Sequence, residues 1–381
     1  MIKICGIVAE YNPFHNGHQY HLAKAREISG ADALVVVMSG NFVQRGEPAI
    51  IDKFVRTKAA LLGGADMVLE LPTPFATRSA EGFAAAAVYI LAKTGIVNSL
   101  CFGCETDNIP ILQEIARNLV SESEDFKRIL KENLTQGNSF PRARAAALSQ
   151  TLVREIPDIV NIVSSPNNIL GIEYLKAIEK YQLPLMPYGL ARKGAAHHGK
   201  ELVGSFASAS ALRREIHAGR LDLDPFMPTT SLSLLKAEHA KGAINHIDNF
   251  SHFLHYNALN NNMDTRLNRA AADNFNISEI VQAAKSKNIT HTALKRAALH
   301  SILQPSQAAL PHYIRILGFR RDQAHLVKAM HKNAALSIVS NLKNATEIMA
   351  DEIRNTKLYW LALKHKGIVE RNEISSPMVI I

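Results

Sequence analysis

Two histidines, His15 and His18, flank Gly17 near the start of the chain in the tetrad His15-Asn16-Gly17-His18. An apolar, β-prone run from Ile2 to Ala9 leads into the turn Tyr11-Asn12-Pro13-Phe14, and a helical run follows from Gln19 to Ile28. Strand, turn and helix in this order place the histidines one turn apart on one face of a helix start. Such a start carries unpaired backbone N–H groups and partial positive charge, which suits a phosphate. Gly17 has no Cβ, so a flat ligand can approach the backbone there. Two imidazoles so placed can donate hydrogen bonds to a phosphate whose charge grows in a transition state, chemistry that rests on positioning more than on a covalent residue. An H-x-x-H pair also fits half of a metal site or two solvated polar residues, but neither reading uses the apolar strand before it or the amphipathic helix after it.

The elements that must carry this pair alternate as strand and helix. Strands are expected at Ala33–Met38, Met67–Leu71, Ser99–Gly103 and Pro184–Pro187, with helices at Lys53–Leu62, Glu81–Lys93 and from Ser164–Asn168 to Tyr181. That order predicts an α/β fold with a parallel sheet. Ligands of such sheets bind beyond the carboxyl ends of the strands. The loop from Ser39 to Pro48 and the segments after Gly103 and Pro187 therefore share an edge with the histidines. Gly103 lets a ribose or base lie on the backbone. Arg192, followed by Lys193, His197 and His198, is suited to gripping phosphate oxygens in a bidentate way. Ser208, Ser210 and Arg213 begin a hydroxyl-rich helix, which is an anion site or plain N-capping. Lys53, Arg56 and Lys58 read equally as a solvated helix face or as phosphate contacts. Residues 106–163 read as helices without identifiable chemistry.

The 381 residues allow two or three domains. No apolar run is long enough to span a bilayer, and the N-terminus reads as a first strand and not a signal peptide, so a cytoplasmic protein with no membrane partner is expected. Cys5, Cys101 and Cys104 build no disulfide framework, and the Cys101/Cys104 pair lacks a second pair for zinc, so no metal site is expected. The formal net charge of +9 favours an anionic partner, nucleic acid first. Much of the excess falls between Ala271 and Asn344, where ten Lys/Arg face three acids. Strand-like runs largely disappear after Leu221. Asp222–Pro228 reads as a linker, and the remainder as mostly helical. Lys295, Arg296, Arg315, Arg320 and Arg321 are candidates for RNA backbone contact. Tyr313 and Phe319 read as core packing ahead of base stacking.

His15-Asn16-Gly17-His18 after a first strand resembles the HxGH signature of the class I nucleotidyltransferase and aminoacyl-tRNA synthetase superfamily. The longer string VAEYNPFHNGHQYHL is more specific. With MSGNFVQRGEPA at 38–49, DMVLELP at 66–72 and SSPNNILGIEY at 164–174, it resembles the tRNA(Met) cytidine acetate ligase family. The match runs over most of residues 1–220 and more thinly through HTALKRAALHSIL and PHYIRILGF. It implies a Rossmann-like catalytic domain over 1–220 and a mostly α-helical, basic, tRNA-binding domain over 221–381. It implies ATP as substrate, accompanied by Mg²⁺, bound by Val8, Ala9, Glu10, Tyr11, Asn12, Pro13, Phe14, His15, Asn16, Gly17, His18, Gln19, Tyr20, His21, Gly103, Asn167 and Arg192, with Asn168 the ambiguous neighbour of Asn167. In the superfamily, a Ser/Thr-rich segment like SASALR, here Ser208, Ser210 and Arg213, holds the outer phosphates. His15 and His18 take the catalytic role. The family reaction has acetate attack ATP to give acetyl-adenylate, whose acetyl group passes to N4 of the wobble cytidine of elongator tRNA(Met). The alternative is a nucleotidyltransferase forming a dinucleotide-type cofactor, such as a phosphopantetheine or nicotinamide mononucleotide adenylyltransferase. Such proteins resemble only the first two hundred residues and leave the basic C-terminal half without a task. A non-catalytic tRNA-binding protein and an acetyl-CoA-dependent acetyltransferase are further rivals, the first disfavoured by the intact histidines and the second by the ATP-type site.

Overall fold

A computed structural model describes residues 2–106, 108–152, 156, 158–191, 207–260, 262–340, 342, 345–363, 373–374 and 376–381. The chain starts with β1 (Ile4–Ala9), α1 (Asn16–Ser29), β2 (Ala33–Ser39) and a hairpin of β3 (Phe42–Val43) and β4 (Glu47–Pro48). Next come α2 (Lys53–Leu62), β5 (Met67–Leu71), α3 (Thr73–Ala76), α4 (Ala80–Lys93) and β6 (Ser99–Cys104). Helices α5 (Ile109–Val120), α6 (Glu124–Thr135), α7 (Phe140–Leu152), α8 (Ile159–Ser164) and α9 (Pro166–Lys180) lead to β7 (Met186–Ala191). After it come α10 (Ala209–His217), α11 (Thr229–Ala240), α12 (Ser251–Leu259), α13 (Thr265–Ala271), α14 (Ile277–Ala283) and α15 (His291–Leu303). The chain closes with β8 (Tyr313–Phe319), α16 (Ala324–Asn333), β9 (Ser337–Val339), α17 (Ala350–Leu361) and β10 (Val379–Ile380).

The main sheet runs β10-β8-β5-β2-β1-β6-β7, with β9 also paired to β8. β5, β2, β1, β6 and β7 are parallel to one another. The valine-rich run of β2 occupies the middle because both its faces are apolar. Ala33, Val35 and Val37 enter one core with α4, α5 and α9, whereas Leu34, Val36 and Met38 enter another with α1 and α2. A strand buried on both faces is what a parallel sheet with helices on each side requires. The chain builds outward from β1 through β2 to β5, then returns to β1's other side with β6. This reversal opens a crevice at the carboxyl ends of β1 and β6, the usual ligand position in an open α/β sheet.

The fifth strand begins later than its proline-bounded run suggests, at Met186, and pairs with β6 from Ser99↔Met186 to Cys104↔Ala191. The C-terminal region departs further from a helical domain. β8 lies antiparallel against β5 inside the sheet, and β9 and β10 pair with β8. All seven β8 positions are buried, so Tyr313 and Phe319 are core residues. Arg315 interrupts this apolar run in the sequence and disguises it as a mixed surface segment. Helices α12 to α15 form their own apolar cluster with Tyr359 and Trp360 of α17, and Phe42 of the hairpin completes it. The Phe42 ring meets Phe250 edge-on at 5.6 Å. Gly46, at φ +75°, sits so close to α15 that a Cβ would lie 2.5 Å from the Arg296 nitrogen. The stretch read as a linker is docked too, since Phe226 O accepts from Asn16 N at 2.9 Å.

Candidate active site

The loop from Glu10 to His15 leaves the end of β1 and turns at Tyr11, whose φ is +48°. Its shape is fixed from several sides. The Tyr11 ring is buried against Phe14 and His18, with centroids 4.9 and 4.8 Å away. Arg56 of α2 donates to Glu10 O at 2.8 Å. Ile50 N donates to Asn12 Oδ1 at 2.7 Å, and Arg213 of α10 donates to Asn12 O at 2.8 Å. Ser231 of α11 donates to Phe14 O at 2.8 Å, and the Asn16 amide donates to Pro225 O at 2.9 Å.

The loop ends in an N-cap made by a histidine. His15 Nδ1 accepts from Gly17 N at 3.1 Å, and His18 Nδ1 accepts from His15 N at 3.3 Å. Each neutral ring must then carry its proton on Nε2. The rings stack with centroids 3.7 Å apart and planes 24° from parallel. The helix start therefore presents two side-by-side imidazole N–H donors. The sequence argument relied on unpaired backbone donors at this helix start. Here Asn16 N and Gly17 N are already engaged by Phe226 O and His15, so anion affinity must come from the two rings and the helix dipole. Gln19 on this helix is exposed, while Tyr20 is half-buried. His21 Nε2 lies 3.7 Å from Cys101 Sγ, against β6. Val8 and Ala9 are half-buried at the end of β1, and Asn12, Pro13 and Phe14 are buried parts of the loop.

Across the crevice, half-buried Gly103 lies near the end of β6 and faces Leu190 of β7 in register. The following turn is tied to the start of α9. Asn168 Oδ1 accepts from Glu105 N at 2.8 Å and Thr106 N at 3.2 Å, and its own N–H donates to Glu105 Oε2 at 2.8 Å. Asn167 donates through its amide to Glu105 Oε1 at 2.6 Å. Asn168 is thus the buried clamp, and Asn167 the half-buried member nearer the surface. Ser208 takes the capping role, accepting from Ala211 N at 3.1 Å, with Ser210 exposed beside it. Arg192, Lys193, His197 and His198 lie outside the described residues.

Several charged residues take roles that sequence reasoning did not assign. Lys53 and Arg56 are wholly buried, so neither faces solvent or a ligand, while Lys58 is exposed. The signal was available: Phe54, Val55, Ala59, Ala60 and Leu61 leave α2 almost no polar face. Arg56 donates to the carbonyls of Ile51, Glu10, Ser39 and Gly40 and so clamps the ends of β1 and β2 together. Lys53 pairs with Glu70 at 2.6 Å and Glu373 at 2.9 Å. Arg315 belongs to the same group, 2.9 Å from Glu373, with its side chain 4% exposed. It is therefore unavailable to a polyanion, and the expectation of RNA contact at Arg315 is corrected. Lys295 is paired with Glu47, and Arg296 donates to Gln44 O at 3.5 Å, so both hold the hairpin. Arg320 pairs with Asp322 at 2.9 Å, and Arg321 is exposed beside it.

Beside the histidine loop Glu10 Oε1 accepts from Gln44 N at 2.7 Å. Burial raises its carboxyl pKa against the opposing pull of that bond and of Arg213, Arg45 and Arg56. Burial also pushes Glu47 up, but Lys295, Arg213 and Arg45 outweigh it and leave Glu47 below the usual carboxylate range. Arg213 reaches Glu47 at 3.7 Å and so joins α10 to the hairpin. Cys5, Cys101 and Cys104 are buried, and burial raises the thiol pKa of Cys5 and Cys101. Paired imidazole donors beside a guanidinium, at the reversal point of a parallel sheet, are equipped to hold a phosphate and to stabilise charge growing on it.

The model of the HIGH Nucleotidyl Transferase family matches residues 2–373. The tRNA(Met) cytidine acetate ligase of Oceanobacillus iheyensis is 36% identical, with 99% of each chain covered. That of Fervidobacterium nodosum is 34% identical over 94% of this chain and 89% of its own. Among solved structures, Thermotoga maritima TmcAL bound with alpha-thio ATP superposes with a TM-score of 0.91 at 31% identity, covering all of both chains. Its apo form superposes with a TM-score of 0.93 at 32% identity.

Proposed function

The chain belongs to the tRNA(Met) cytidine acetate ligase family of HIGH nucleotidyl transferases, and on that premise we propose that it joins acetate to N4 of the wobble cytidine of elongator tRNA(Met) at the expense of ATP. The observation that carries the chemistry is the stacked pair of Nε2–H donors on His15 and His18 at the start of α1. In the first step an acetate oxygen bonds to the α-phosphorus and the bond to the bridging oxygen breaks, giving acetyl-adenylate and pyrophosphate. His15 and His18 donate to the phosphate oxygens as charge accumulates. Arg213, Ser210 and Arg192 hold the outgoing phosphates, and Gly103 and Asn167 bound the nucleoside. In the second step N4 attacks the acetyl carbon and AMP leaves.

Among the described residues no group of three or more His, Cys, Asp or Glu is placed to hold a metal ion. A Mg²⁺ accompanying ATP would be held by the phosphates and would offset their charge. The catalytic unit comprises residues 1–220 with β8 to β10 completing its sheet, the rest of 221–381 gives the tRNA a place to dock, and half-buried Arg320 and exposed Arg321, at the end of β8, add phosphate contacts. An unpaired anticodon base exposes its exocyclic amine, which fits this division. Among the described residues no helix is long and apolar enough to cross a membrane. The test is incubation of the protein with ATP, Mg²⁺, radiolabelled acetate and total tRNA, followed by nucleoside analysis. Label in N4-acetylcytidine is expected. AMP formed only with another acid or phosphate compound, and no label in tRNA, would replace this reading with dinucleotide-type nucleotidyl transfer.

A further inference from the structure

Glu10 is the acidic side chain set at the end of β1, next to the loop that carries the histidine pair. Its first oxygen is fixed by Gln44 N at 2.7 Å, and its backbone carbonyl by Arg56 at 2.8 Å. Among the described residues no hydrogen bond reaches its second oxygen, and that atom is not sealed from solvent. A carboxylate is a poor ligand for the reacting groups of the first step, because both the triphosphate and acetate are anions. It suits a group that must lose a proton.

The second step supplies such a group. As N4 of the cytidine bonds to the acetyl carbon, its nitrogen gains positive charge and an N–H proton must depart. Glu10 is hydrogen-bonded to the hairpin that packs on the unit where the tRNA is proposed to dock. Gln44, which holds its carboxylate, also accepts from Arg296 of α15 and donates from its amide to Arg78 O at 3.3 Å. The β3–β4 hairpin thus joins the histidine crevice to the helical unit, with Glu10 directly beneath it. Resting on the ligase reading above, we propose that Glu10 is the general base of the acetyl-transfer step. Its second oxygen takes the N4 proton as the N–C bond forms, the bond from the acetyl carbon to the adenylate oxygen breaks, and AMP leaves as the anion.

The surroundings raise its affinity for a proton above that of an ordinary carboxylate, which favours a general base. Burial favours the protonated form, while Arg45 of the hairpin, Arg213 of α10 and Arg56 of α2 favour the charged one, with burial prevailing. Tyr174 of α9 lies within its field, its hydroxyl held neutral by burial first and then by Glu10 itself. Glu47 of β4 lies beyond Arg213 and Arg45 and shares their charge.

Glu10→Gln keeps an acceptor for Gln44 N–H and removes the basicity. Single-turnover transfer to tRNA is expected to fall about 100-fold or more, the usual loss with a general base, and to fall well beyond any loss in acetate-dependent exchange of labelled pyrophosphate into ATP. Hydroxylamine, a nucleophile strong enough to need no base, should still trap acetyl-hydroxamate with the variant. The transfer rate of the unaltered protein should rise with pH to a plateau, and this rise should vanish in the variant. Transfer by the variant at the unaltered rate, or equal loss of exchange and transfer, would overturn the assignment, the latter making Glu10 an ATP ligand. No acetate-dependent exchange by the unaltered protein would instead remove the ligase reading on which the assignment stands.

Discussion

Arg56→Met tests whether the crevice is held together by one buried cation. The guanidinium reaches Ile51 O at 3.0 Å, Glu10 O at 2.8 Å, Ser39 O at 3.0 Å and also Gly40 O. Methionine retains much of the stem volume but none of the donors. Each buried acceptor left unpaired costs about 1–3 kcal/mol. The sum overstates the loss, because removing the cation also recovers its desolvation penalty and the carbonyls relax. Breaking one side of a buried charged interaction typically costs about 3–5 kcal/mol, and that is the expected destabilisation. It is a large fraction of the roughly 5–15 kcal/mol that holds a domain folded. Urea unfolding should show the lowered midpoint with an unchanged slope, and added salt should not alter the difference, since a buried group is little screened. Because Glu10 O and Ser39 O end adjacent strands, acetate-dependent pyrophosphate exchange should also fall under conditions where the variant is fully folded. Loss of stability below about 1 kcal/mol, with exchange intact, would show that the carbonyls find other donors and refute the clamp.

Three further outcomes are expected. His15→Ala and His18→Ala should each lower pyrophosphate exchange by about 100-fold or more while tRNA binding survives, and a fully active variant would remove that histidine from catalysis. Burial and then the neighbouring Glu70 raise the Glu352 carboxyl from 4.5 to about 8. The folded form therefore holds a proton that the unfolded chain releases, so this group's contribution to stability falls as pH rises from about 4.5 to 8 and levels off above. Glu352→Gln should flatten that fall, and unfolding midpoints that stay parallel to those of the unaltered protein from pH 5 to 8 would contradict it. Arg320→Glu with Arg321→Glu should weaken tRNA binding and reduce the salt slope by about 2 while sparing exchange, whereas unchanged affinity would return both residues to a solvated face.

Much of the sheet was legible because its strands are short apolar runs closed by Gly, Pro or polar turns. Lys53–Leu62 and Met67–Leu71 fall where the pattern puts them, and the histidine pair sits at the start of its helix as expected. What pattern cannot supply is the identity of a partner far along the chain. A charged residue within an apolar run is ordinarily assigned to solvent, because charges are rarely buried alone. Arg315 in β8 defeats that inference, because Glu70 and Glu373, remote in the sequence, pair with it in the fold. The hairpin was hidden for a related reason, since Gly46 is explained only by the backbone of α15 pressing against it.

These buried charges also bear on how the chain divides. Glu70 lies on β5, in the half whose motifs carry the chemistry, while Arg315, Glu352 and Glu373 come from the other end. Two cations, Lys53 and Arg315, face three carboxyls, and the raised pKa of Glu352 lets one stay protonated so that the group approaches neutrality. Without the last third of the chain, Lys53 would lose Glu373, and Thr73 would lose the Glu352 carboxyl group that accepts from its N–H and hydroxyl. A buried cation stripped of one of its counter-charges is far costlier than an apolar side chain in the same place. The first 220 residues contain the histidines, yet the sheet edge beside them is neutralised by residues beyond 310. A boundary drawn from motifs alone therefore cuts through one electrostatic unit.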